Sequence, residues 1–161
     1  MSRLPALGPR GEGWVVIQLV IVASIAAAGL AMPGSSVGPG AGLGLLVGWG
    51  LVAAGGVLAI AGLVGLQGGD ALTAVPHPRE EARLVEHGAY GLVRHPIYGG
   101  LVVAAAGWAV ARGSVAALAG TALLLVFFDL KRRREEAWLE ARFAGYAEYR
   151  ARTRRLIPWI Y

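Results

Sequence analysis

The chain has 161 residues, 56% of them hydrophobic and 16% charged, with a net charge of +5. Soluble globular chains carry about a quarter charged residues, and here residues 13–69 form a run of 57 without a single Asp, Glu, Lys or Arg. That excludes an ordinary soluble domain and a disordered chain, and the absence of cysteine excludes a disulfide framework, a thiolate metal site and a cysteine nucleophile. In a chain this apolar the basic excess reads as loops facing anionic lipid rather than as a nucleic-acid surface.

The first apolar stretch, residues 14–32, has about the length that crosses a hydrocarbon core. Arg3 and Arg10 before it and Pro33-Gly34-Ser35-Ser36 after it imitate a signal peptide, but the apolar run is too long for a signal core, so it reads as a retained helix. A second span, 41–66, is rich in glycine and contains Gly44-x-x-x-Gly48, a pattern that suits close helix packing in lipid. Residues 67–97 are polar and hold Asp70, Arg79, Glu80, Glu81, Arg83, Glu86 and Arg94 together with His77, His87 and His95. The histidines have no metal-ligand spacing, and no metal is expected.

Two shorter apolar runs, 96–111 and 114–128, are separated by Arg112-Gly113. Each is about 16 residues, roughly 24 Å as helix, and together they predict a tight helical hairpin at the lower limit for spanning. From Asp129 the chain is charged, and a helix to about Arg150 is expected to lie at the interface. Trp138, Leu139, Phe143, Tyr146 and Tyr149 recur at near-helical spacing and read as its apolar face. The expected fold is thus an all-α integral membrane protein of about four transmembrane helices in a single domain over 1–161. With four spans, 14 of the 15 Lys and Arg share one side and only Arg112 lies on the other, which puts both termini in the cytoplasm.

Two polar segments carry residues that anchoring alone does not require. In Gly88-Ala89-Tyr90-Gly91-Leu92-Val93-Arg94-His95-Pro96-Ile97-Tyr98-Gly99-Gly100, Pro96 suits the first turn of a helix, whose free N–H groups favour an anion. Arg94 adds a cationic fork, His95 a titratable donor, and the glycines a close approach for a flat ligand. The plainer readings are a helix cap for His95 and interfacial anchors for Tyr90 and Tyr98. In Lys131-Arg132-Arg133-Arg134-Glu135-Glu136 the basic residues read as charge facing lipid headgroups. The two glutamates read either as a solvated salt-bridged face or as acceptors for an ammonium or a ribose.

Gly88-x-Tyr90-x-x-x-Arg94-His95-Pro96-x-Tyr98-x-Gly100, a helical hairpin, Glu135-Glu136, Tyr146-x-x-Tyr149 and Ile157-Pro158 together resemble the isoprenylcysteine carboxyl methyltransferase family, to which phospholipid N-methyltransferases are related. The resemblance covers residues 84–160, and the tail Phe143-Ala144-Gly145-Tyr146 is similar to that of a bacterial branch. It implies an integral membrane methyltransferase using S-adenosylmethionine, with a lipid acceptor (an isoprenoid, a prenylcysteine-like compound or a phospholipid) entering from the bilayer. Tyr90, Arg94, His95, Pro96, Tyr98 and Gly100 would line the cofactor site and Glu135 and Glu136 would close it. Arg94 and the helix start at Pro96 would hold the cofactor carboxylate and Glu136 its amino or ribose groups. Arg94, Glu135 and Glu136 are the candidate catalytic residues, either glutamate being placed to serve as base for an amine acceptor. Two other readings stay open. Membrane sterol reductases share an Arg-His-Pro-x-Tyr region and bind NADPH, although they commonly have Asn where this chain has Ile97; a non-catalytic membrane scaffold would use Gly44-x-x-x-Gly48 as a partner face.

Overall fold

The structure is a computed structural model that describes residues 7–8, 11–34, 41–68 and 84–161. Arg3, Arg10, Asp70, His77, Arg79, Glu80, Glu81 and Arg83 lie outside the described residues. Among the described residues the chain is all-helical: α1 Glu12–Ala31, α2 Ala41–Gly68, a 3-10 turn Gly88–Gly91, α3 Pro96–Arg112, α4 Val115–Arg142 and α5 Tyr146–Arg152. The one β-type pairing among these residues is an isolated parallel bridge between Val93 and Arg154.

Local sequence explains the boundaries. Helix α1 stops two residues before Pro33, which cannot continue the ladder. Helix α3 starts with Pro96 in its first turn and ends at Gly113, whose φ of 59° is a left-handed conformation natural to glycine. Ser114 then caps α4, its hydroxyl accepting from the Ala117 N–H at 3.3 Å. A connection this short makes α3 and α4 the antiparallel hairpin expected from sequence.

The expected break between an apolar segment ending at 128 and a separate interfacial helix is absent. Helix α4 runs unbroken for 28 residues, through the apolar run into a charged half that lies beyond it. Side-chain pairs one turn apart carry it across: Asp129 takes Arg132 and, at 2.7 Å, Arg133, and Arg132 reaches Glu136 at 3.5 Å. The chain turns only at Phe143 and Gly145, and α5 is a separate short helix. Tyr146 and Tyr149 on α5 are 0% and 2% exposed, so they belong to the protein interior and not to an interfacial face. Burial of the charged half of α4 against the tail decides this, and the helical periodicity of the aromatics did not distinguish the two.

Helices α2 and α3 pack closest, along a seam of small residues spaced by seven. A Cβ on Gly55 would stand 2.5 Å from the Ala104 nitrogen and the Gly100 carbonyl oxygen, and one on Gly107 would stand 2.5 Å from the Gly48 carbonyl. Gly62 takes the rings and side chains of Pro96 and Ile97. Gly44, by contrast, faces open space. The packing glycines are therefore 48, 55 and 62, a heptad set consistent with a shallow helix crossing, and the Gly44-x-x-x-Gly48 pattern is not the contact.

A core of Trp14, Ile25, Val102, Ala109, Ala117, Leu124, Phe127 and Phe128 joins α1, α3 and α4. The outer faces are apolar as well: Leu46 and Val57 are 74% and 69% exposed. Glu12–Ala31 and Gly42–Gln67 are long and apolar enough to cross a bilayer, whereas Pro96–Arg112 is shorter. Lipid satisfies such faces where water does not.

Candidate active site

The polar residues that the apolar helices do not explain meet at one place, where the segment before α3, the charged half of α4 and the chain after α5 come together. The tail pairs with the entry to α3. Arg94 N–H donates to the Arg154 carbonyl at 2.8 Å and His95 N–H to the Arg155 carbonyl at 3.0 Å. This pairing presses the Leu156 carbonyl against Gly99 so closely that no side chain fits there.

Arg94 is buried at 7% exposure, and its guanidinium is held from several directions. Nε donates to Glu136 Oε1 at 3.0 Å, and Nη1 donates to the carbonyls of Arg150 at 3.0 Å and Thr153 at 2.5 Å. His95 lies between the glutamates, Nε2 at 3.2 Å from Glu136 Oε1 and Nδ1 at 3.5 Å from Glu135 Oε2. Tyr98 hydroxyl donates to Glu135 Oε1 at 2.5 Å, and its ring is stacked between His95 and Phe128, with centroid distances of 5.5 and 4.4 Å.

The two adjacent carboxylates are driven apart electrostatically. Burial pushes Glu136 up, but the hydrogen bonds and charges of His95 and Arg94 outweigh it and hold the carboxyl down at about 2. Burial pushes Glu135 up as well, and there His95, Lys131 and the Tyr98 hydroxyl only partly offset it, leaving it above the ordinary carboxylate range. Two carboxyls with separated protonation behaviour suit two roles, a permanent anion and a group able to exchange a proton.

Arg94, His95, Tyr98, Glu135 and Glu136 are thus brought into one hydrogen-bonded group. Tyr90 is buried in the 3-10 turn beside it, its ring against Gly65 and its carbonyl accepting from the Tyr149 hydroxyl at 2.8 Å. Pro96 packs on Gly62, and Gly100 abuts Gly55 and Ala59, so both face α2. His87 is exposed and outside the group.

Several contributors were not singled out from sequence. Lys131 and Arg132, read as facing headgroups, are 2% and 5% exposed and belong to the interior; only Arg133, whose side chain is 61% exposed, fits that reading. The spacing carried a signal for this, since Lys131 and Arg132 stand four residues before Glu135 and Glu136 on one helix. Asp129 joins the network by accepting from the Tyr161 hydroxyl at 2.8 Å. Tyr146 hydroxyl is buried with no hydrogen-bond partner among the described residues. A buried unpaired hydroxyl costs stability, so a polar ligand that reaches it gains a ready donor and acceptor.

The sequence profile of the phospholipid methyltransferase family matches residues 43–145, well over half of the chain, and spans α2, α3 and α4 with their polar cluster. No curated protein and no solved structure matches the chain. That family includes isoprenylcysteine carboxyl methyltransferase-like proteins, and with the two long apolar helices it makes the chain membrane-associated. This chain belongs to the phospholipid methyltransferase family and is a methyltransferase of lipid-like substrates.

Proposed function

We propose that the protein transfers a methyl group from S-adenosylmethionine to a lipophilic acceptor, an isoprenoid, prenylcysteine-like or phospholipid compound, at the cytoplasmic boundary of the membrane. The observation that carries this reading is the buried group Arg94–Glu136–His95–Glu135–Tyr98, set where the apolar half of α4 passes into its charged half. The reading takes 1–161 as one membrane domain with four spans, α3 and the apolar half of α4 forming a short spanning hairpin, and both termini in the cytoplasm by the charge bias.

The donor set fits such a cofactor. Its amino-acid end carries both charges, which a guanidinium and a carboxylate match, and the Tyr146 hydroxyl, without a partner among the described residues, offers a further contact. Arg94 and the first turn of α3 at Pro96 would hold the carboxylate, Glu136 the amino or ribose groups, and Tyr90, His95, Tyr98 and Gly100 would line the site. When bound, the cofactor supplies a methyl activated by the positive charge of its own sulfonium. The protein then has to position and desolvate the reactants. Glu136, ionised throughout the physiological range, contributes a fixed negative charge. Glu135 is suited to accept at an Oε atom the proton lost by an amine acceptor, whereas a carboxylate acceptor needs no base.

The test is calorimetry on the detergent-purified chain with S-adenosylhomocysteine and NADPH titrated separately. Binding of the adenosyl compound alone supports this reading and leads to a labelled-methyl screen of membrane lipids. Binding of NADPH alone moves the case to a reductase, and binding of neither by folded protein rejects the cofactor assignment.

A further inference from the structure

Lys131 occupies a position that neither headgroup binding nor the cofactor reading explains. Its ammonium is buried, donates to the Gln18 side-chain oxygen of α1 at 2.7 Å, and lies 4.8 Å from the centre of the Tyr98 ring. The same Tyr98 donates its hydroxyl to Glu135 at 2.5 Å. Burying an ammonium is unfavourable unless something compensates it, and among the described residues Lys131 has no carboxylate within ion-pair distance. Its compensation is distributed over an amide oxygen, an aromatic face and the charge of Glu135 one helical turn further on. Gln18 is in turn the one amide side chain of α1, whose other polar side chains are Glu12 in the first turn and Ser24, which bonds back to the Val20 carbonyl. A polar side chain on a membrane helix is costly without a purpose. Helix α1 also lies before the family-matched region, so Gln18 brings a group from outside that region into the polar cluster.

We propose that Lys131, oriented by Gln18, is a positioning residue that holds the Tyr98 ring and keeps Glu135 available as an anion, making α1 part of the catalytic apparatus as well as a span. This rests on the reading of Glu135 given above. The groups that face Glu135 are His95 and Tyr98 from the start of α3, Tyr90 from the 3-10 turn, and Lys131 and Glu136 from its own helix. His95 and Lys131 favour the carboxylate; Tyr90 and Glu136 add no positive charge. Loss of the lysine therefore removes one of the groups that favour the anion and raises the pH at which Glu135 deprotonates.

The experiment is an infrared pH titration of the full detergent-solubilised chain, following the carboxyl band that disappears in Glu135→Gln. A nearby charge moves such a midpoint by about one pH unit or more. Lys131→Met is expected to raise it by at least that much, Lys131→Arg to leave it near the wild-type value, and Gln18→Leu to raise it part of the way. In methyl-transfer assays the acidic limb of the rate should follow the same order. An unmoved midpoint in Lys131→Met overturns the proposal, as does an equal effect of Lys131→Met and Lys131→Arg, which would mean that volume and not charge matters. Should Lys131→Met not fold, Gln18→Leu decides alone, because it only makes an apolar helix more apolar; an unmoved midpoint there overturns the role of α1. Failure of wild-type protein to bind the adenosyl compound would reject the cofactor reading while the infrared titration still judged this one.

Discussion

The pair Arg94–Glu136 ties the entry of α3 to α4 and to the tail, and its strength can be isolated by a double-mutant cycle. Arg94→Ala removes the 3.0 Å bond to Glu136 and the two bonds to the carbonyls of Arg150 and Thr153. Breaking a buried ion pair from one side costs about 3–5 kcal/mol, because the other charge is left behind. Glu136 keeps His95 at 3.2 Å and Arg132 at 3.5 Å, so the lower end, about 3 kcal/mol, is expected. Glu136→Gln leaves Arg94 its two carbonyls and should cost about 2 kcal/mol. The double variant has no stranded charge and should also lose only about 3 kcal/mol, a coupling of about 2 kcal/mol. Unfolding of the detergent-solubilised chain in mixed micelles, followed by circular dichroism, measures all four corners. Because Glu136 is held near 2 against an ordinary 4.5, its contribution is complete above the unfolded value and is lost as pH falls from 4.5 toward 2. The coupling should therefore be present at neutral pH and shrink in acid. Effects that add to within about 0.5 kcal/mol at neutral pH would refute the reasoning.

Three further substitutions probe the seam and the orphan hydroxyl. Gly55→Ala places a Cβ against the backbone of α3 and should destabilise by about 1–3 kcal/mol. Gly44→Ala meets open space and should be neutral or slightly stabilising; equal losses in the two would refute the assignment of the seam. Tyr146→Phe removes a buried hydroxyl that has no partner among the described residues. It should leave the ligand-free protein as stable as before, or about 1 kcal/mol more stable, while weakening S-adenosylhomocysteine binding about three- to tenfold. A clear loss of ligand-free stability would show that the hydroxyl is satisfied within the protein.

The candidate site was partly legible because its motif residues are local. Arg94, His95 and Tyr98 stand at the start of one helix, where Pro96 and the free N–H groups announce a special position, and Glu135 and Glu136 are adjacent. The roles of Pro96 and Gly100 are less so. Proline at a first turn and glycine in a membrane helix serve packing as readily as ligand contact, and both face α2 here. Lys131 and Arg132 were misplaced because the charge bias of a membrane protein predicts on which side a cation lies, not whether it points to lipid or into the fold.

What the sequence by itself determined is the chain's solvent and its chemistry-bearing residues. A charge-free run of 57 residues requires lipid or burial whatever the tertiary arrangement, and the hairpin follows from Gly113 and Ser114, which act within a single turn. What only the tertiary structure decided is which residues meet. Closure of the tail over the α3 entry, the choice of Gly48, Gly55 and Gly62 over Gly44, and the reach of Lys131 to Gln18 join residues from 34 to 113 positions apart. Such contacts are set by how helix faces orient against one another, and that rotation is chosen by packing between helices, which no local pattern encodes.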